Sequence, residues 1–173
     1  MQRVLVIGIS GAGKSTFARE LAERTGLPLI HLDKEFWRPG WVTTPQPEWR
    51  AKVEALAAQD TWIIDGNYGR SLGLRLPRAD TVFWFDYPRL RCLRQIAWRI
   101  TTTYGRVRPD LAPGCPEQID WEFLRFVWDF PAKSRPKIAT ALAQHMQSNA
   151  ALVVFRRRGD VRRYLAGVGP SHQ

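Results

Sequence analysis

Residues 8–15 read Gly8-Ile9-Ser10-Gly11-Ala12-Gly13-Lys14-Ser15, a full match to the pattern G-x-x-x-x-G-K-[ST]. An apolar run at 3–8 precedes the match. A helix is expected from about 15 to 25, ending at Gly26-Leu27-Pro28. Strand, glycine-rich turn and helix start are the context in which this pattern forms a phosphate cradle. The small residues let backbone N–H groups turn inward around phosphate oxygens. The helix N-terminus adds unpaired donors and partial positive charge. Gly8, Ser10, Gly11, Ala12, Gly13, Lys14, Ser15 and Thr16 are therefore the expected nucleotide-binding residues. Lys14 places a point charge on the terminal phosphates, and the Ser15 hydroxyl is a Mg²⁺ ligand.

Further strands are predicted at 29–32, 61–64, 81–85 and 151–155. Helices are predicted at about 48–59, 88–103, 120–130, 134–147 and 160–165. Residues 36–47 read as loop, and residues 104–118 as loop or lid. Apolar strands alternating with helices imply an α/β fold, a parallel sheet covered on both faces. Ligands bind beyond the carboxyl ends of such strands. Three of those ends carry an aspartate: Asp33, Asp65 and Asp86. At 173 residues one domain is expected, spanning 1–173.

The formal charge is +10, from 26 Lys+Arg against 16 Asp+Glu, which favours anionic partners. Nucleotides and phosphorylated metabolites qualify, and nucleic acid is possible. Two cysteines, Cys92 and Cys115, form no metal-type pair, which argues against a disulfide framework and for a reducing, cytoplasmic setting. No apolar run approaches the roughly 18 residues that cross a bilayer. The expected state is a monomer or homodimer.

No N-K-x-D stretch supports guanine recognition, and no L-S-G-G-Q stretch supports a transporter ATPase. The small kinase class remains. The phosphate loop, His31-Leu32-Asp33, the run Trp62-Ile63-Ile64-Asp65-Gly66-Asn67-Tyr68 and the run Val82-Phe83-Trp84-Phe85-Asp86 resemble the adenylate-kinase-like P-loop kinases. Asp33, Trp37 and Trp41, then Asp65-Gly66-Asn67-Tyr68, then Phe130-Pro131 and Ser134-Arg135-Pro136 resemble more closely the bacterial DNA topology modulation protein family. The likeness runs from residue 1 to about 166.

The resemblance implies a three-layer αβα fold with a five-stranded parallel sheet in the order 2-3-1-4-5 and a helical lid. Residues 34–60 become the acceptor-binding flap and about 99–118 the lid. It implies ATP and Mg²⁺ as cofactors, with transfer of the γ-phosphoryl to a nucleotide or small-molecule acceptor. Asp65 takes the place of the acidic residue that holds magnesium through water. Asp33 becomes the carboxylate that accepts a proton from the acceptor hydroxyl. Arg94 and Arg99 are the expected lid-base arginines, with Arg125 and Arg135 as a second clamp. Arg70 stands one residue later than the acceptor-phosphate arginine of adenylate kinases.

Other readings stay open. Trp37 and Trp41 either stack on a flat acceptor or form a small core for the flap. Asp86 caps the helix that follows it. The arginines at 156–158 and 162–163 approach the nucleotide or form a solvated tail. His31, His145 and His172 show no ligand spacing. A different class also fits the charge: an ATP-dependent nucleic-acid-binding protein affecting DNA topology.

Overall fold

Strand β1 (Arg3–Gly8) carries Val4, Leu5, Val6 and Ile7 fully buried. A strand apolar on both faces must be covered on both, and β1 lies at the centre of the sheet. The computed structural model describes residues 1–169; His172 lies outside the described residues. The other sheet strands are β2 (Leu29–His31), β3 (Trp62–Asp65), β4 (Thr81–Phe85) and β5 (Ala151–Phe155). All pair in parallel, in the order β2-β3-β1-β4-β5. Val6 sits opposite Asp65 and Gly8 opposite Phe85, so the carboxyl ends of β1, β3 and β4 come together.

Among the described residues eight α-helices accompany the sheet: α1 (Lys14–Thr25), α2 (Leu32–Phe36), α3 (Gln46–Ala57), α4 (Leu72–Arg75), α5 (Arg89–Thr103), α6 (Trp121–Lys133), α7 (Arg135–His145) and α8 (Arg158–Gly167). Side chains alternate across β4 and show the three layers. Phe83 and Phe85 meet Phe17 of α1 at 4.8 and 5.4 Å between ring centroids, and Tyr164 of α8 joins them. Trp84 points the other way, beneath Arg135 at the start of α7. α1 ends at Gly26, whose left-handed backbone (φ 71°) donates its N–H to Ala22 O at 2.8 Å.

Several boundaries differ from the sequence reading. The second strand stops at His31, and Asp33 lies in the first turn of α2 rather than at a strand end. Asp33 and Glu35 favour a helix start there, because helix N-termini attract negative charge. The stretch 36–47 is not wholly loop: Trp37–Arg38 pairs antiparallel with Val42–Thr43, and α3 starts at Gln46 with a proline in its first turn. The predicted lid is helical only at its base, the last turn of α5; residues 104–120 hold turns and no helix. Asp86 caps nothing; it forms an ion pair with Arg135.

Candidate active site

The chain leaves β1 at Gly8 with φ 131°, and a Cβ there would lie 2.2 Å from Phe85 O. Only glycine fits so close to the neighbouring strand. Gly13 turns into α1 with φ 91°, and a Cβ there would meet nothing within 4 Å. The loop is thus walled by the sheet behind and open in front. Ala12 is buried, whereas Gly13 and Thr16 are exposed, with Ser10, Gly11 and Ser15 between these extremes. No side chain caps the start of α1, so its first N–H groups remain available to an anion. Lys14 Nζ donates to Ile9 O at 3.1 Å, across its own loop. Burial lowers the Lys14 pKa, against the opposing pull of Asp65 and Asp33.

Asp65 ends β3 beside this loop and is buried. Its Oδ2 lies 3.0 Å from Nδ1 of buried His31, the donor when the carboxylate is ionised. Its Oδ1 is buried with no hydrogen-bond partner among the described residues. A buried, unpaired carboxylate oxygen whose charge reaches Lys14 fits a solvated cation held against phosphate. Among the described residues no three His, Cys, Asp or Glu side chains gather into a metal cage. The donor set therefore suits Mg²⁺ shared with phosphate oxygens, not a cation held by protein alone.

The loop after β3 ties the site together. Asn67 Oδ1 accepts from Gly8 N at 2.7 Å, and its Nδ2 donates to Gly8 O at 2.6 Å. Tyr68, left-handed at φ 37°, donates its hydroxyl to Asp33 Oδ1 at 2.7 Å. Burial raises the Asp33 pKa; the Tyr68 hydrogen bond and the charges of Lys14 and Arg108 pull it back. Fully buried Arg75 serves as the hub of this loop. Its guanidinium donates to the carbonyls of Gly66 at 2.9 Å, of Ser71 at 3.4 Å and of Asn67.

The segment 104–120 brings charge over this floor. Glu117, 7% exposed, lies 2.9 Å from Nη2 of Arg99 and 2.9 Å from Nε of Arg108. Arg108 also reaches Asp110 at 3.3 Å. The charge of Arg99 acts on Lys14, and that of Arg108 on Asp33. The segment is also fastened to the two-stranded ribbon of Trp37–Arg38 and Val42–Thr43. Gly40 N donates to Gly114 O at 2.9 Å, Trp41 Nε1 to Pro116 O at 3.2 Å and Cys115 Sγ to Arg38 O at 3.3 Å.

Of the predicted site residues, the structure gathers Lys14, Ser15, Asp33, Asp65 and Arg99. Trp37 packs with Phe36 and Trp41 at centroid distances of 5.0 and 5.3 Å, within a cluster that includes Trp49 and Tyr68. Arg94 is exposed on α5. Arg125 is 83% exposed and lies 4.0 Å from Asp129. Arg70 lines an open depression with Gln46, Trp49 and Leu74. Arg135 is held bidentately by Asp86 at 2.9 and 3.0 Å. Among the described residues none of these four hydrogen-bonds to the phosphate loop. Arg157 pairs with Asp160 at the start of α8. Sequence reasoning missed Asn67, Tyr68 and Arg75 as site residues, and Arg108 and Glu117 as the companions of Arg99. The run Asp65-Gly66-Asn67-Tyr68 was the signal for the first two.

Comparison with solved structures decides the architecture. A gluconokinase from Sinorhizobium meliloti 1021 aligns at 17% identity with a TM-score of 0.53, covering 96% of this chain and 91% of that one. A shikimate kinase from Acinetobacter baumannii in complex with shikimate aligns at 17% identity and TM-score 0.57, covering 96% and 89%. A shikimate kinase from Bacteroides thetaiotaomicron gives 16%, 0.51, 95% and 94%. The fold is that of the P-loop kinases. At such identities the likeness extends to the fold and no further. No family model matches the chain, and no curated protein matches it. Among the described residues no helix is long and apolar enough to cross a membrane.

Proposed function

We propose that this chain is a kinase that transfers the γ-phosphoryl of Mg-ATP to a hydroxyl of a small molecule or nucleotide. The observation that carries the proposal is a lysine and a carboxylate, both half-buried, whose charges act on each other. Lys14 stands on the donor side, and Asp33, pinned by Tyr68, stands on the acceptor side. The charge of Arg99 reaches Lys14, and that of Arg108 reaches Asp33. The acceptor oxygen bonds to the γ-phosphorus as the bond to the β–γ bridging oxygen breaks. ADP leaves with that electron pair, and the hydroxyl proton passes to Asp33. A carboxylate whose pKa is raised by burial is a better proton acceptor than a solvated one. Lys14, Arg99 and the amides of the loop stabilise charge on the phosphoryl oxygens. Ser15, and Asp65 through water, would hold Mg²⁺, which supplies further neutralisation of the phosphates.

The names of the aligned structures, gluconokinase and shikimate kinase, support small hydroxylated acids among the acceptors to try. The resemblance to the DNA topology modulation family supports a second reading, an ATP-dependent nucleic-acid binder. So does a surface of exposed Trp98, Trp121 and Trp128 beside exposed Arg94 and Arg125, because aromatic and basic groups together suit single strands.

One assay separates these readings: ADP release from Mg-ATP with pooled nucleoside monophosphates, nucleosides, sugars, hydroxy acids or DNA. The expected result is a rise with one small-molecule pool, reduced about 100-fold or more by Lys14→Ala. A rise with DNA alone moves the assignment to the second reading. No rise with any pool sinks the kinase.

A further inference from the structure

The charge of Arg99 acts on Lys14 and that of Arg108 on Asp33, and one carboxylate pairs with both arginines. Glu117 Oε1 accepts from Arg99 Nη2 at 2.9 Å, and Oε2 lies 2.9 Å from Arg108 Nε. The glutamate cannot swing away freely. Its backbone closes the segment on itself: Gly105 N donates to Glu117 O at 2.9 Å, and Glu117 N donates to Arg106 O at 2.9 Å. The pairing nonetheless leaves donors over. The Nε–H groups of Arg99 and Arg108 are both buried without an aligned acceptor among the described residues, and so is Glu117 Oε2. One carboxylate cannot satisfy two guanidinium forks, each of which presents five N–H donors. A phosphoryl group, with three oxygens and more charge, satisfies them better.

We propose that Glu117 is a resident counter-anion, holding the Arg99–Arg108 pair in place in the free protein and yielding it to the transferring phosphoryl group. The inference rests on the kinase reading above and adds a residue to it. Without Glu117 the two guanidinium groups repel each other, and each opposes the charge of the other. With it the pair is assembled before the nucleotide arrives. The incoming phosphate must then compete with a carboxylate for the same donors, so Glu117 weakens the grip on the γ-phosphate that the arginines would otherwise exert. A residue that merely supported the fold would have the opposite effect when changed: loss of support would loosen the arginines and weaken binding.

The test is calorimetric titration of Glu117→Gln with the Mg²⁺ complexes of AMP-PNP, a non-transferring ATP analogue, and of ADP. Glu117→Gln keeps the shape of the side chain and removes its charge. The AMP-PNP Kd is expected to fall about 3- to 10-fold, with a smaller change for ADP. Asp110→Asn removes a carboxylate that touches Arg108 alone, and its effect is expected in the same direction and smaller. Tightening in both variants supports the inference even where Glu117→Gln folds less stably. Unchanged or weakened AMP-PNP binding in both overturns it. Wild-type protein that binds AMP-PNP, with Lys14→Ala that does not, leaves the nucleotide reading standing in that case. Wild-type protein that binds neither ligand overturns reading and inference together.

Discussion

Among the described residues the Asp33 carboxylate accepts one side-chain hydrogen bond, from the Tyr68 hydroxyl, which opposes the effect of burial on its titration. Burial raises its pKa, and the phenol donor lowers it by favouring the charged form. A base works only when deprotonated, so activity falls as pH drops through this raised value. Tyr68→Phe removes the lowering contribution alone. The acid limb of the pH–rate profile is expected to move to higher pH; an unmoved limb would remove Asp33 as the base. At this scale Lys14, Ser15 and Asp65 were legible, because their roles follow from neighbours in sequence. Arg108 and Glu117 were not. They lie in a segment without periodicity, and their partners are fixed only when residue 99 folds back over residues 108 and 117. Arg125 and Arg135 read as clamps by residue type, yet one extends into solvent and the other is taken by Asp86.

The stretch from Gly66 to Arg75 behaves as one element wound around a guanidinium. Arg75 is fully buried with no carboxylate paired to it among the described residues, and burial lowers its pKa to about 9. Its hydrogen bonds go to the carbonyls that set the backbone path of Asn67 and Tyr68. Asn67 in turn clamps Gly8, and Tyr68 pins Asp33, so one side chain sets the positions of both Gly8 and Asp33. Arg75→Met keeps bulk and removes every donor. Relief of a buried charge offsets part of the loss. The carbonyls of Gly66 and Asn67 lose their partner, however, at roughly 1–3 kcal/mol each. A net loss of about 2 kcal/mol or more is expected in denaturant unfolding, with weaker ADP binding; unchanged stability and affinity would show that the loop holds itself. The helices and strands themselves were largely readable, since the central strands are continuous apolar runs. The hub was not, because an arginine in a run such as Leu72-Gly73-Leu74-Arg75 reads as a solvated residue.

Across the whole molecule, the strand order follows the resemblance, and the three-layer core follows from alternation along β4. The union of flap and proposed lid had no such signature, since it runs through backbone groups such as Gly40 N and Gly114 O. Cys115 is shut inside that union: its thiol is fully buried and donates to Arg38 O. The other thiol, Cys92, is also fully buried, and burial pushes its pKa up to about 11, so it reacts slowly. Cys115 therefore acts as a clock for the union. A thiol reagent reaches it only while the two segments are apart, and an open fraction of about one in a hundred slows labelling about 100-fold. Nucleotide that draws the lid down is expected to slow the clock further, and a labelling rate indifferent to nucleotide would mean that lid and flap stay joined throughout the cycle.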